Sequence, residues 1–91
     1  DKLELEIAYK NMREEFIKWR NSWNYYKDEA LPLAKEQQEG SVLAFKEGAI
    51  DYVTFLQNIR DAIRIEVNAW SAFDNYLDSR YQLEYYLEKS N

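Results

Sequence analysis

Apolar residues in the first half of the chain keep to one helical stripe. Leu5, Tyr9, Met12, Phe16, Trp19, Trp23, Tyr26, Ala30 and Leu33 follow steps of 4, 3, 4, 3, 4, 3, 4 and 3, with mostly Lys, Arg, Glu and Asn between them. That spacing is the inward seam of a heptad, the pattern of one long helix packed along another. The same phase continues through Gln37, Gly40 and Ala44, where the seam turns small and polar. Small seam residues let a partner helix approach closely, so the pair is expected to narrow there. Pro32 interrupts the pattern, because it lacks an N–H and its ring strikes the carbonyl four residues earlier. Two forms compete. One helix ends near Glu29 and another starts with Pro32 in its first turn, or a single helix kinks at the proline. The seam keeps its phase from Tyr26 to Gln37, which favours the kink.

A break is expected at Lys46–Ile50. Gly48 suits the left-handed position just past a helix end, and Asp51 is placed to cap a new helix by accepting the N–H of Thr54. Beyond it Leu56, Ile59, Ile63, Val67, Trp70, Phe73, Leu77 and Tyr81 recur every three or four residues, with no Gly or Pro from Asp51 to Asn91. The fold expected is all-α: a long antiparallel hairpin with a helix over about 2–45, kinked near Pro32, a turn at 46–50 and a helix over 51–89. The second helix, of about 38 residues, would reach about 57 Å.

Composition narrows the chemistry. Of 91 residues none is Cys and none is His, which removes disulfides, thiolate nucleophiles, the commonest general base and the commonest transition-metal ligand. Two Gly and one Pro leave no material for a phosphate-cradling loop or a turn-rich β fold. Seventeen acids against twelve bases, a net charge of −5, argue against duplex nucleic acid as a partner. Acidic pairs such as Glu14–Glu15 and Glu84 with Glu88 read as solvated helix faces, and a bundle di-iron site needs Glu-x-x-His pairs that a chain without His cannot supply. No catalytic residue, metal site or cofactor is therefore expected, and no enzyme activity. The many aromatics, among them Trp19, Trp23, Tyr26, Trp70, Tyr76, Tyr81, Tyr85 and Tyr86, are expected to fill the gap between the helices and to meet a neighbouring subunit.

The chain opens Asp1-Lys2-Leu3-Glu4-Leu5-Glu6 without an initiator Met, and helical pattern runs to both ends. An excised segment of a larger protein is the expected origin. A hairpin of this size buries little surface, so the segment alone is expected to pair with a second copy into an antiparallel four-helix bundle.

The turn region carries a resemblance. Glu29-Ala30-Leu31-Pro32-Leu33-Ala34, followed by Phe45-Lys46-Glu47-Gly48-Ala49-Ile50-Asp51-Tyr52-Val53-Thr54-Phe55-Leu56-Gln57, resembles the second periplasmic hairpin of TolC-type outer-membrane efflux proteins. The likeness is greatest to the heavy-metal branch, the CusC/CzcC-like channels. Trp70-x-x-Phe73-x-x-Tyr76 and Gln82-Leu83-Glu84-Tyr85-Tyr86-Leu87 are similar to its returning helix. The resemblance spans nearly the whole chain but only one of the family's two hairpins, and none of its β-barrel strands. It implies the periplasmic portion of an outer-membrane protein of a Gram-negative bacterium. In that family three protomers close a helical tunnel whose tips meet a periplasmic adaptor coupled to a proton-driven inner-membrane pump of the RND type, and the likeness to the heavy-metal branch implies heavy-metal cations as the cargo. Carried over by position, the docking tip comprises Phe45, Gly48, Ala49, Ile50 and Asp51. The best-known members have Tyr where Phe45 stands and Arg where Ile50 stands, and both help to close the entrance. Phe45 has no hydroxyl and Ile50 no charge, so that closing network does not carry over. From the residues alone the alternative is a generic coiled-coil interaction or scaffold domain, for which a Gly and a cap suffice at the turn.

Overall fold

A computed structural model describes residues 1–89. Helix α1 (Lys2–Tyr25) runs through a five-residue π-helical turn (Tyr26–Ala30) into α2 (Leu31–Lys46), and α3 (Tyr52–Lys89) returns along both. The fold is an all-α hairpin, 67 Å long and 18 by 14 Å across. No strand occurs among the described residues, and none of their helices is long and apolar enough to cross a membrane.

Pro32 neither ends the first arm nor leaves its phase intact. Backbone angles stay right-handed helical on both sides of the π turn, from Tyr25 (φ −60°, ψ −49°) to Leu31 (φ −65°, ψ −47°). The Leu31 N–H reaches five residues back, to the Tyr26 carbonyl. The wider turn sits directly ahead of the residue that cannot donate and whose ring crowds the preceding turn. It takes up one extra residue and rotates everything after it. From Tyr9 to Ala30 the expected seam holds: Tyr9, Met12, Phe16, Trp19, Trp23 and Tyr26 are half-buried and Ala30 is buried, whereas Leu5, expected to begin the seam, is exposed. Beyond it the seam moves to Ala34, Gln38, Ser41 and Phe45, while Leu33, Gln37 and Gly40 are exposed. An unbroken phase through Pro32 is therefore corrected to a one-residue slip.

The larger correction concerns α3. Its inward seam is Phe55, Asn58, Ala62, Ile65, Ala69, Ala72, Tyr76, Ser79, Leu83 and Tyr86, all buried or half-buried in steps of 3 and 4. The more apolar stripe expected to pack inward lies outside: Leu56, Ile63, Val67, Trp70, Leu77 and Tyr81 are exposed, and only Ile59 and Phe73 reach half-burial. Volume explains the choice. Packed helix axes stand about 8–10 Å apart, and the first arm already fills that space with Phe16, Trp19, Trp23 and Tyr26. A stripe of Leu, Ile and Trp opposite them would push the helices apart, whereas Ala and Ser leave seats for the rings. Ala62, Ala69 and Ala72 are accordingly only 2–3% exposed, against 66% for Trp70.

Toward the open end the rings bridge the arms. Tyr9 stacks on Tyr86 at 6.1 Å, Phe16 on Tyr76 at 5.8 Å, and Trp23 tilts onto Phe73 at 4.7 Å between ring centres. The Tyr86 hydroxyl donates to the Leu5 carbonyl at 2.8 Å and ties the two ends together. The buried set is alanine and serine, and no large side chain among the described residues is fully enclosed. Ala69→Leu should therefore overpack the seam and lower stability by about 1–3 kcal/mol. Ser71→Leu, on the exposed flank, should change it by less than about 0.5 kcal/mol. Urea unfolding followed by circular dichroism measures both.

Candidate functional site

Two backbone devices close the hairpin. The first ends α2. The Ala49 N–H bonds the Ala44 carbonyl at 2.8 Å and the Gly48 N–H bonds the Phe45 carbonyl at 3.1 Å, the paired bonds of a Schellman motif. Gly48 sits between them at φ +76°, the one positive φ among the described residues. A Cβ there would meet no atom within 4 Å, so its requirement for glycine is conformational rather than steric. The second device starts α3. The Thr54 N–H donates to the Asp51 carboxylate at 2.8 Å and the Phe55 N–H to the Asp51 carbonyl at 3.0 Å, the arrangement expected of an N-cap.

Beneath the turn three aromatic rings lock the arms. Phe45 packs tilted on Phe55 at 4.7 Å and edge-on to Tyr52 at 6.0 Å. The tip residues expected from the sequence thus divide into two groups. Phe45, Gly48 and Asp51 hold the turn in shape, with Ile50 half-buried behind it. Ala49 gives its backbone N–H to the turn and leaves its side chain exposed. Thr54, expected as the donor to the Asp51 cap, belongs to the same construction, as do Phe55 and Tyr52, which lay outside the expected tip. Their signal was present in the sequence, in Thr54 as the third residue of a capped helix and in two aromatics within a turn of the cap.

Behind the tip an open cleft of about 390 Å³ is lined by Gln37, Gly40, Ser41, Ala44, Ile50, Asn58 and Asp61. It exists because the seam is small and polar here. Asp61 lies 3.9 Å from Arg64 across an exposed ion pair, so its charge is already partnered. No group of three or more His, Cys, Asp or Glu side chains able to hold a metal ion occurs among the described residues. What the tip offers is shape: a stiff, narrow end with a small side chain at its apex. No family model, no curated protein and no solved structure matches the chain.

Replacing Gly48 with Val should cost on the order of 1 kcal/mol or more, because a β-branched residue is forced into the left-handed region; thermal unfolding measures it. Acid should act on the other device. Hydrogen bonds from Thr54, from its hydroxyl first and its backbone N–H second, hold the Asp51 carboxyl below its ordinary value of 3.8. A lowered folded-state value means that the stabilisation is complete above the unfolded value and fades as the pH falls through the folded one. Asp51→Asn keeps an acceptor at the cap, so the variant's melting temperature should depend less on pH than the parent's on acidification below about pH 4.

Proposed function

We propose that the hairpin is a periplasmic wall segment of a tunnel-forming outer-membrane efflux channel of the TolC type. Its turn docks against a periplasmic adaptor, and through it the channel serves a tripartite, RND-type export system. The segment has no chemistry of its own; its work is to span distance and to present an end. The observation that carries the reading is the tip. Its capping bonds and the Phe45–Phe55–Tyr52 ring cluster fix a turn whose apex residue, Ala49, holds it through its backbone N–H and leaves its side chain exposed. A connector needs only the glycine and the cap. A docking end needs rigidity together with a small, uncharged apex against which another protein's backbone can close.

Length supports the same reading, since 67 Å is far more than a turn requires and suits a strut across a compartment. With no matching family or structure, the reading rests on the residues of the turn region and on this geometry. A coiled-coil scaffold is the second reading, and the exposed stripe on α3 favours it, because a scaffold uses the flank of the hairpin rather than its end.

Variants of the apex separate the two. Ala49→Arg and Ala49→Asp should leave the helicity and melting temperature of the hairpin almost unchanged, since the side chain is exposed and the φ at Ala49 is not positive. In a full-length parent the same changes should abolish adaptor binding and export. Circular dichroism on the hairpin and a resistance assay on the parent check the two halves. Normal export by a stably expressed Ala49→Arg parent would remove the docking role and leave the scaffold reading.

A further inference from the structure

The stripe that α3 leaves outside is itself a complete seam. Leu56, Arg60, Ile63, Val67, Trp70, Asp74, Leu77 and Tyr81 follow steps of 4, 3, 4, 3, 4, 3 and 4. All eight side chains are exposed. The stripe covers about 38 Å of helix. A heptad seam of that length with no partner inside the hairpin is more apolar surface than a soluble chain normally leaves to water. Trp70, 66% exposed, lies near its middle beside Val67, 59% exposed.

The two charged residues of the stripe say what covers it. Arg60 and Asp74 have opposite signs and stand seven residues to either side of Val67. Neither forms an ion pair or hydrogen bond with another described residue, whereas Arg64 and Arg80 find partners on the hairpin's own surface, in Asp61 and Glu84. A chain that pairs with itself about a two-fold axis sets residue i against residue j and j against i. In an antiparallel pair the layers become Leu56 with Tyr81, Arg60 with Leu77, Ile63 with Asp74, and Val67 with Trp70 of the second copy. Two Val67–Trp70 layers then form a dry centre. Each Arg60 falls one layer from Asp74 of the second copy, within reach of its long side chain. A parallel, in-register pair would instead put Arg60 on Arg60 and Asp74 on Asp74, two repulsions in the seam. The stripe is self-complementary in one direction only.

We propose that α3 carries an isologous docking surface for a second copy of this chain. Two hairpins join antiparallel through Leu56–Tyr81, and the first arms of both lie outside as a four-helix bundle. This does not rest on the channel reading, because it uses the flank of α3 and not the tip, and it describes the chain on its own, since an antiparallel pair points its two tips to opposite ends.

Sedimentation equilibrium of the intact chain should show a dimer at about 0.1 mM that dissociates on dilution. Trp70→Ala should raise the dimer Kd by roughly tenfold or more while leaving the helicity unchanged at a concentration where the parent is dimeric. Arg60→Asp and Asp74→Arg should each raise it by roughly 3- to 10-fold, and the double swap Arg60→Asp with Asp74→Arg should return it to the parent value. Direction is read by cross-linking, which the absence of native Cys makes clean. A Leu56→Cys chain mixed with a Tyr81→Cys chain should form the mixed disulfide, and neither should oxidise efficiently with itself. A monomer at 0.1 mM, about the concentration named above, would overturn the proposal. So would self-linking of the Leu56→Cys chain, which reports a parallel pair, or a double swap that stays as weak as either single change.

Discussion

The distance between two packed helices is the constraint on which the rest of this structure depends. At an axis separation of about 8–10 Å large side chains from both arms fit between them only where small ones alternate with them, and α1 brings Tyr9, Phe16, Trp19, Trp23 and Tyr26. The returning helix accordingly sets Ala62, Ala69, Ala72 and Ser79 among the larger Phe55, Ile65, Tyr76, Leu83 and Tyr86 of its inward face. Everything else follows from that choice. The buried set is alanine and serine, the rings stack across the open half, and a second, more apolar stripe is left on the outside. The hairpin is held by ring stacking across its open half, by the Tyr86–Leu5 tie at one end and by the turn at the other.

Much of this architecture is legible in the sequence. The two arms follow from periodicity and from the lack of Gly and Pro after Asp51. The turn follows from local backbone chemistry, which depends on neighbours in the chain and not on the distant partner: Gly48 takes the positive φ and Asp51 accepts the Thr54 N–H, as their residue types require. What periodicity does not show is which of two stripes on α3 faces the first arm. Leu56, Ile63 and Leu77 are more hydrophobic than Ala62, Ala69 and Ala72, and Val67 and Trp70 add bulk to the same stripe, so pattern alone selects it. Packing selects by volume against the opposite seam, and that information lies some fifty residues away, in Trp19 and Trp23. The phase slip at Pro32 was hidden for a related reason. Pro32 marks the place of the disturbance but not its form, since a kink and a π turn with an extra residue answer to the same proline, and Leu33 happens to sit where an unshifted seam would place an apolar side chain.

The candidate site was legible in part. Phe45, Gly48, Ala49, Ile50 and Asp51 do gather at one end, but they do not share a role: Phe45, Gly48 and Asp51 build the turn, whereas Ala49 contributes its backbone N–H and leaves its side chain exposed. Tyr52 and Phe55 complete the lock with Phe45, which residue spacing near the cap suggests but only the packed arms complete. The surface thereby has two distinct regions, a stiff tip and an apolar flank, that are built by different forces. Backbone hydrogen bonds and a positive φ make the tip, whereas the flank is the residue of a packing competition.

The most direct test is which stripe of α3 touches the first arm. Isotope-filtered NOE spectra of the chain in solution, selecting contacts within one molecule, report it. Intrachain NOEs are expected from the Ala69 and Ala72 methyl groups to the rings of α1, together with ring contacts between Phe16 and Tyr76 and between Trp23 and Phe73. Intrachain NOEs from the Ile63, Val67 and Leu77 methyl groups to those same α1 rings would contradict the assignment, because they would place the bulky stripe inside and the alanine seam out.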